Sequence, residues 1–461
     1  MGQQRRQGPT TAPHDQPLDS GARPRPPPAL ESDVTPPEDV PRRPRPARPS
    51  AVGLLGARPP TWYQLRSSIE QLADIFPRAC RLTPVGSSRG GESLELLTVR
   101  GGDLHLLVVG GPHPNEPVGL ATVLALARHA VSGAGPPYVT WHFLPCADPD
   151  GARLNEPWTA AAPWPPTLRT YHRGFYRPAR DDQPEWAFPG AGHTGRLPET
   201  EAMMEVIDTV RPHGFVSLHN SDTGDAFYVT NRAEPRLPGV LRTAARRHGL
   251  SVGRRPSDAI GWNSPGPGVF VLPTTGRTRS RRGREVRRGH GAGSADYAGR
   301  HGALGLSPVT PLWQSSGARL PAHAGAEILR SAGRTLGELW ERARTAVNGE
   351  SAFAPAVEDT LAIMALVARA LGEHPDQGGG QDSALLLPLR TAGMLLRHLD
   401  VVTLSWPYHP ELPALRLRAE ETFETWCRAA ETAIRPVALP LRRTAGFQVD
   451  TVLALAELLA G

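Results

Sequence analysis

The sequence predicts an α/β fold in which a mixed β-sheet is flanked by helices, and three observations favour it. Leu104–Val109 is a continuous run of apolar, mostly branched residues, which is typical of a strand covered on both faces. Segments of helical composition alternate with such strands along the chain. Two of the strands lead into histidine-bearing turns, and the ends of strands are where open α/β sheets usually carry their sites.

The elements follow one another in a regular order. We predict helices over 62–76, 117–130 and 198–210, and strands over 94–100, 104–109, 139–144 and 215–218, with a late strand within 302–313. The turn Gly110-Gly111-Pro112 ends the strand at 104–109, and Asp148-Pro149-Asp150-Gly151 closes the strand at 139–144. Helical patterns then dominate, and we predict helices over 324–347, 355–372, 383–400, 412–433 and 446–460.

Composition divides the chain into three regions. Residues 1–58 are rich in Pro and Arg and lack a hydrophobic period, so we expect disorder, since such a segment buries too little apolar surface to offset its ordering entropy. Residues 59–348 form the predicted α/β domain. Residues 349–461 are predicted to be a helical region that either covers this domain or forms a dimer interface. The Arg- and Gly-rich residues 275–300 are predicted to be a mobile loop.

Charge and cysteine content favour a cytoplasmic protein. The net charge is +6, but the basic residues lie mainly in the N-terminal segment and the Arg-rich loop, with no nucleic-acid motif beside them, so we expect no nucleic-acid partner. The three cysteines are widely spaced and form neither a disulfide framework nor a metal pair. There is no apolar run of about 18 residues and no signal peptide, so we expect no membrane partner. The sequence leaves the oligomeric state open.

The residues with the clearest chemistry are His113, Glu116 and His219. His113 and Glu116 follow a buried strand in Gly-Gly-Pro-His-Pro-Asn-Glu, and His219 ends another strand. Two histidines and a glutamate are one of the three-ligand sets of catalytic zinc, which keeps a fourth position open. The sequence therefore predicts a Zn²⁺ site; the alternative is that both histidines are structural residues in loops.

Residues 60–320 resemble the zinc carboxypeptidase family. His113, Glu116 and His219 match its zinc ligands, and Asp148-Pro149-Asp150-Gly151 resembles a turn found between them. The resemblance implies a mixed sheet between helices, a zinc cofactor and hydrolysis of a peptide or amide bond in a carboxylate-bearing small-molecule substrate. The family's usual Asn-Arg motif is absent, and we predict that Arg173 and Arg177 bind the substrate instead; otherwise they are ordinary surface or salt-bridged residues.

The resemblance also implies a glutamate that takes a proton from water, and this residue is missing. Val309 or Thr310 occupies its expected position on the late strand, which also contains Pro308, a residue that an interior strand tolerates poorly. Glu185 is the predicted substitute base, and Asp222 is an alternative. Tyr297 could donate a proton, although its position favours a structural role.

Two functions remain open. The first is an active zinc-dependent hydrolase in which zinc-activated water attacks the peptide or amide bond. The second is a catalytically impaired relative that keeps zinc and acts as a binding or regulatory protein. The complete ligand set is common to both, whereas the missing glutamate favours the second.

Overall fold

A mixed sheet forms the centre of the computed structural model, which describes residues 50–189, 197–254, 256–259, 261–273, 278–279, 285–286, 293–317, 320–347, 351–373 and 381–461. Within these residues, eleven strands form the sheet, and its main order is β1-β2-β4-β3-β5-β12-β7-β9-β8. The strands are β1 (Cys80–Ser87), β2 (Ser93–Val99), β3 (Leu104–Val109), β4 (Val139–Leu144), β5 (Gly214–Ser217), β6 (His219–Thr223), β7 (Phe227–Thr230), β8 (Asn263–Gly266), β9 (Val269–Val271), β10 (Thr278–Arg279), β11 (Glu285–Val286), β12 (Leu304–Ser315) and β13 (Pro436–Ala438).

The centre of the sheet is parallel and its margins are antiparallel. Strand β3 pairs in parallel with β4 and β5, and β12 pairs in parallel with β5 and then β6. Antiparallel pairs join β1 to β2, β2 to β4, β12 to β7, β12 to β13 and β8 to β9. Strands β10 and β11 form a separate pair. The predicted mixed sheet is therefore confirmed.

Thirteen helices are named within the described residues: α1 (Trp62–Ile75), α2 (Val118–Val131), α3 (Pro149–Leu154), α4 (Glu156–Thr159), α5 (Leu168–Gly174), α6 (Pro198–Val210), α7 (Leu237–Arg247), α8 (Ser294–Gly299), α9 (Ala322–Ala346), α10 (Phe353–Glu373), α11 (Gln381–Ser405), α12 (Leu412–Ile434) and α13 (Leu441–Ala460). None of these helices has both the length and the apolarity needed to cross a membrane.

Local sequence accounts for the first elements around the site. Thr61 and Gln64 form a capping box that starts α1 by satisfying two free backbone N–H groups. Almost every residue of α2 is buried, because this helix lies between the sheet and other helices. All six residues of β4 are buried as well, and four of them are apolar, while Thr140 and His142 are buried polar residues.

Strand β12 is a long interior strand despite containing Pro308. Its first residues, Leu304–Leu306, pair with β5, and from Val309 onwards it pairs with β6. Pro308 lies between the residues of β12 that pair with β5 and those that pair with β6. A proline has no backbone N–H to donate, and on this side of β12 the hydrogen-bond ladder is already interrupted at that point. The carbonyl of Pro308 accepts a hydrogen bond from Gln448 of α13.

The C-terminal helices belong to two different groups. Helices α9, α10, α11 and α12 pack mainly on one another, and α11 also packs on α5. Helix α13 instead packs on α2, α7, β3, β5 and β12. Because β13 pairs antiparallel with the end of β12, α9–α12 form an insertion between two parts of the α/β core, and residues 48–461 form one compact unit. The predicted domain boundary at 348/349 cuts through this insertion and stays a prediction.

Two predicted segments differ from the structure. The disorder predicted for 1–58 lies outside the described residues as far as residue 49, but Ala51–Leu54 forms a short 3₁₀ helix, and Ala51 and Leu55 are buried in the core. The loop predicted for 275–300 lies largely outside the described residues, but its end forms α8. Buried apolar residues explain both differences, since Ala295 and Ala298 of α8 also pack in a core cluster.

The packing of α13 on the sheet predicts a large effect for Leu455→Ala. Leu455 is fully buried, and its Cδ2 atom lies 3.5 Å from where a Cβ on Gly214 of β5 would stand. We expect a loss of about 2–5 kcal/mol in the free energy of unfolding, measured by urea denaturation, because the truncation leaves a cavity. The control Leu404→Ala removes a leucine that is 84% exposed and should change stability by about 0.5 kcal/mol or less. Equal effects would contradict a core role for α13.

Candidate metal centre

The pairing of β3 with β5 brings the two predicted histidines together. Val109 and Ser217, the last residues of these parallel strands, lie opposite each other in the register. The backbone N–H of Leu218 donates to the carbonyl of Val109 over 3.0 Å, which extends the pairing to the residue before His219. His113, four residues after β3, and His219, two residues after β5, therefore lie at the same end of these two strands.

His113, Glu116 and His219 form a group that could hold a metal ion. Each offers one ligand atom, and these atoms all lie within 4.8 Å of one another. Two ligand atoms of a tetrahedral zinc ion lie about 3.4 Å apart, since a zinc–nitrogen bond is about 2.1 Å long. The ligand atoms of the three side chains would therefore need to approach one another by about an ångström to contact one ion.

His113 is neutral and poised to act as a ligand. Its side chain is buried, and its Nδ1 atom has no hydrogen-bond partner among the described residues. Burial holds the pKa of His113 well below its usual range, and the positive charge of Arg177 lowers this pKa further. The ring stacks against Trp186 at a centroid distance of 6.2 Å. A buried, unprotonated nitrogen without a partner fits a metal ligand, because histidine binds metals in its neutral form.

Glu116 lies at the centre of the group. Its Oε2 atom is 2.9 Å from His219 Nδ1 and accepts a hydrogen bond from the backbone N–H of Asn220 at 3.1 Å. Its Oε1 atom is 3.4 Å from Nη1 of Arg177. The carboxylate is thus oriented from two sides, and the donor set of two imidazoles and one carboxylate suits zinc. The predicted zinc ligands therefore fit the ion.

Glu185 stands behind His219 rather than free in the cleft. Its Oε1 atom is 3.8 Å from His219 Nε2, and its carboxylate accepts hydrogen bonds from Ser217 Oγ at 3.1 Å and Ser294 Oγ at 2.7 Å. Burial lowers the pKa of His219, but Glu116 and Glu185 outweigh it and raise this pKa to about 9. A carboxylate on the far nitrogen of a metal-binding histidine typically orients the ring. The catalytic role predicted for Glu185 stays a prediction.

Helix α13 fixes the backbone of His219. The side-chain amide of Gln448 donates to the carbonyl of His219 at 2.7 Å, and its oxygen accepts a hydrogen bond from Thr122 Oγ1 at 2.7 Å. All three groups are buried. The sequence predicted that this C-terminal region covers the α/β domain or forms a dimer interface, and the structure shows that α13 also contacts the backbone of His219 itself.

The structure separates the two arginines that were predicted to bind substrate. Arg177 lies in the site beside Glu116, and its Nε donates to Gln183 Oε1 at 3.3 Å. Arg173 instead forms ion pairs with Asp400 of α11 at 3.2 Å and Glu420 of α12 at 3.5 Å. Arg173 therefore holds the insertion against α5, and Arg177 is the arginine of this pair that adjoins the ligands.

Arg390 of α11 is an additional cation near the site. Its Nη2 and Nε atoms lie 2.7 and 3.1 Å from Oδ2 of Asp222, and its guanidinium lies over the ring of Phe175 at 5.2 Å from the centroid. Burial lowers the pKa of Arg177, and the nearby positive charge of Arg390 lowers it further. Tight packing places it there, since a Cβ at Gly393 would lie 1.9 Å from the His172 carbonyl oxygen.

Asp222, the alternative base, is held in this same network. Its Oδ1 accepts a hydrogen bond from Tyr171 at 2.6 Å, and Oδ2 is 3.6 Å from His172 Nε2 in addition to the contacts with Arg390. Burial raises its pKa, but Arg390 and His172 outweigh burial and hold the pKa of Asp222 well below its usual range. Such a carboxylate is a poor proton acceptor near neutral pH.

The strand position expected to carry the catalytic glutamate is apolar. Val309 lies opposite His219 in the register of β12 and β6, and Thr310 lies opposite Asn220. Val309 packs with Phe227, Phe270 and Ala259, and β12 contains no acidic residue. As the sequence predicted, this strand therefore carries no carboxylate that could act as the base.

Two other predicted residues have clear structural roles. Asp148 caps α3 through the N–H of Gly151, and a Cβ on Gly151 would lie 2.6 Å from Pro114, so this turn supports the His113 loop. Tyr297 donates to Asp208 Oδ2 at 2.8 Å and packs on Phe188 at a centroid distance of 5.2 Å. These contacts favour the structural role expected for Tyr297.

Sequence reasoning missed Arg390 and Gln448. Each lies in a segment that has an ordinary helical pattern, and each reaches the site from a distant part of the chain. A buried position within an apolar helix face was the only signal for Gln448, and such a signal does not identify its partner.

The sequence comparison supports the resemblance to the zinc carboxypeptidases. Residues 65–264 match the zinc carboxypeptidase family profile, and this range contains all three ligands. The match covers most of the length predicted for the resemblance, 60–320, and the expectation of a zinc cofactor is confirmed. The assignment of His113, Glu116 and His219 as its ligands stays a prediction. No curated protein matches the chain.

Solved structures of metallocarboxypeptidases are similar to parts of the chain. Bovine thrombin-activatable fibrinolysis inhibitor, solved with a tick carboxypeptidase inhibitor, is 13% identical, covers 54% of this chain and 86% of its own, and gives a TM-score of 0.35. Carboxypeptidase A from Helicoverpa armigera is 14% identical, with coverages of 69% and 74% and a TM-score of 0.38. A metallopeptidase from Shewanella denitrificans is 16% identical, with coverages of 54% and 81% and a TM-score of 0.37.

The Asp222 network predicts a pH-dependent loss of stability in Asp222→Asn. At pH 7 we expect a loss of roughly 3 kcal/mol, because the change leaves Arg390 buried without its carboxylate. The folded pKa of Asp222 is below the unfolded value of about 3.9, so its contribution is present above that pH and is lost as the pH falls below it. Urea unfolding at pH 7, 5 and 3 should show the gap between wild type and variant narrowing. A constant gap would contradict the depressed pKa.

Proposed function

We propose that this protein is a zinc-dependent hydrolase that cleaves a peptide or amide bond in a small substrate bearing a carboxylate. The convergence of His113, Glu116 and His219 carries the proposal. The match of residues 65–264 to the zinc carboxypeptidases supports it. Zinc bound there would polarise the scissile carbonyl and make water a stronger nucleophile near neutral pH.

Arg177 and Arg390 are the groups proposed to bind the substrate carboxylate. The guanidinium of Arg177 lies 3.4 Å from Glu116, and Arg390 is paired with Asp222, three residues after His219. When the oxygens of Glu116 are used for a metal ion, Arg177 has donors available for another carboxylate. A planar guanidinium binds a carboxylate through two parallel hydrogen bonds, which suits orientation of the substrate. Arg173 is not placed in this role, because its ion pairs are with Asp400 and Glu420 of the insertion and not with a residue next to the ligand group.

The second function is a zinc-binding protein without hydrolytic activity. The apolar side chain of Val309 opposite His219 favours it, since the position expected for the general base carries no carboxylate. Loss of general-base catalysis typically costs 10²–10⁴-fold in rate, which slows turnover without affecting metal binding. Hydrolysis assays with zinc-loaded protein separate the two functions.

The metal content of the purified protein tests the ligand set. We expect about one zinc per chain in the wild type and none in the double variant His113→Ala/His219→Ala, measured by elemental analysis after dialysis. The matched control His105→Ala/His213→Ala removes two histidines that stack on each other elsewhere in the sheet, with a centroid distance of 6.1 Å. It should keep its zinc. A folded wild-type chain without zinc would exclude the proposed function.

The role of Arg177 predicts a substrate-dependent effect of Arg177→Ala. With N-acylated dipeptides as probes, we expect kcat/KM to fall roughly 10- to 100-fold for a free C-terminal carboxylate, since a hydrogen bond to a charged group is lost. The corresponding C-terminal amides should be affected much less. Arg173→Ala is the matched control and should change either rate less than about 3-fold. An equal loss for acids and amides, with zinc content preserved, would argue against carboxylate recognition by Arg177.

A further inference from the structure

The loop at residues 183–188 leaves one large ring partly exposed. Every residue of this loop is buried except Trp186, whose side chain keeps part of its surface in solvent. Tryptophan carries one of the largest apolar surfaces of any side chain, and burying that surface is strongly favourable. An indole that stays half-buried within a buried loop is therefore a candidate for contact with a ligand.

The neighbours of Trp186 hold this loop in place. The carbonyl of Glu185 accepts a hydrogen bond from the N–H of Ser294 at 3.1 Å, and its carboxylate accepts one from the hydroxyl of the same serine at 2.7 Å. Next to the ring, a Cβ on Gly293 would lie 3.0 Å from Cζ3 of Trp186, so the start of α8 packs closely against the indole. A side chain that is already positioned binds a ligand with less loss of entropy.

The ring of Trp186 lies against the predicted metal ligand His113. The two ring centroids are 6.2 Å apart and the ring planes are inclined by 28°, a separation at which aromatic rings pack favourably. Only 3% of His113 is exposed, so the indole forms part of the cover of this ligand. The part of the indole that stays in solvent consequently lies next to the candidate metal centre.

Gln183 connects the indole to Arg177. Its carbonyl accepts the N–H of Trp186 at 3.0 Å, and its side-chain oxygen accepts a hydrogen bond from Nε of Arg177 at 3.3 Å. Arg177 lies 3.4 Å from Glu116. Trp186 instead stacks on His113. The loop thus places a cation beside one member of the ligand group and an apolar surface beside another.

These two positions suit the two halves of the proposed substrate. When the substrate carboxylate binds Arg177, the leaving amino acid is fixed on the side of Glu116. The acyl half then extends past the scissile carbonyl towards His113 and reaches the indole. A flat apolar group on this half would stack on the indole and cover its exposed surface, whereas a methyl group would cover only a small part of it.

We infer that Trp186 is a specificity-determining residue that selects substrates with a flat apolar group, such as an aromatic side chain, on the acyl side of the scissile bond. This inference rests on the proposed hydrolase function. Trp186 takes no part in proton transfer and acts by binding. It therefore changes the preference among substrates and leaves the chemistry that they share unchanged.

The test compares two probes that differ at this position alone, N-acetyl-phenylalanyl-alanine and N-acetyl-alanyl-alanine, with full-length, zinc-loaded protein. We expect the wild type to cleave the phenylalanyl probe with a kcat/KM about 10- to 100-fold higher than that of the alanyl probe. In Trp186→Ala this ratio should fall below about 3, while kcat/KM for the alanyl probe changes less than about 3-fold and the zinc content is preserved.

Further variants separate recognition of the substrate from support of the metal ligand. Trp186→Phe keeps a flat apolar face and should retain most of the preference. Trp406→Ala removes an indole that is 52% exposed, immediately after α11, and should leave the ratio unchanged. If Trp186→Ala loses zinc or its fold, Trp186→Leu decides in its place, because leucine keeps apolar bulk against His113 without a flat face; it should lower the ratio at least about 3-fold. An unchanged ratio, or equal losses for both probes, in the deciding variant overturns the inference.

Failure of the inference and failure of the hydrolase function give different results. If the wild type cleaves the alanyl probe as fast as the phenylalanyl probe or faster, the inference is wrong and the hydrolase function stands. If it cleaves neither, the hydrolase function fails, and the dissociation constants of the two uncleaved probes are measured by titration calorimetry. Tighter binding of the phenylalanyl probe that is lost in Trp186→Ala then supports the contact with the indole, and equal or absent binding overturns it.

Discussion

The parallel pairing of β3 with β5 is the constraint on which the site depends. It sets Val109 opposite Ser217, and His113 and His219 follow these two residues closely in the chain. A change of one residue in this register would turn the side chains of one strand to the other face of the sheet. The buried contacts of Glu116, Gln448 and Glu185 all assume this register, because each of them contacts His219 or its neighbours.

The parts of the structure that local pattern determines could be predicted from the sequence. The mainly apolar runs predicted β3 and β4 at their observed limits, and the helix at Pro198–Val210 also agrees. The candidate metal ligands could be proposed from the sequence because His113 and Glu116 are close in sequence and His219 follows the apolar segment that forms β5. The prediction that His219 ends a strand differs from the structure, in which β5 ends at Ser217 and His219 begins β6. Strand β1 and the helix Ser294–Gly299 were not predicted, since their sequences contain Gly, Pro and Ser among few apolar residues.

The parts that depend on distant contacts could not be predicted. Asp222 and Arg390 are separated by 168 positions, and His219 and Gln448 by 229. A single sequence carries no signal for such pairs, because an arginine on an otherwise ordinary helix has many possible partners. The assignment of Arg173 as a substrate ligand illustrates the limit: Arg173 and Arg177 share a segment, but α11 and α12 engage the first and leave the second beside Glu116.

The insertion α9–α12 enters and leaves the core at neighbouring points, since Ser315 of β12 pairs with Pro436 of β13. A segment whose two ends lie side by side can change in length or sequence at little cost to the sheet that carries it. The metal ligands precede this segment in the chain, whereas Arg390 lies within it. Evolution could therefore exchange Arg390 and the surface around it while the candidate metal centre stays intact. The same layout delays completion of the core during synthesis, because α13 follows the insertion in the chain and must still reach His219.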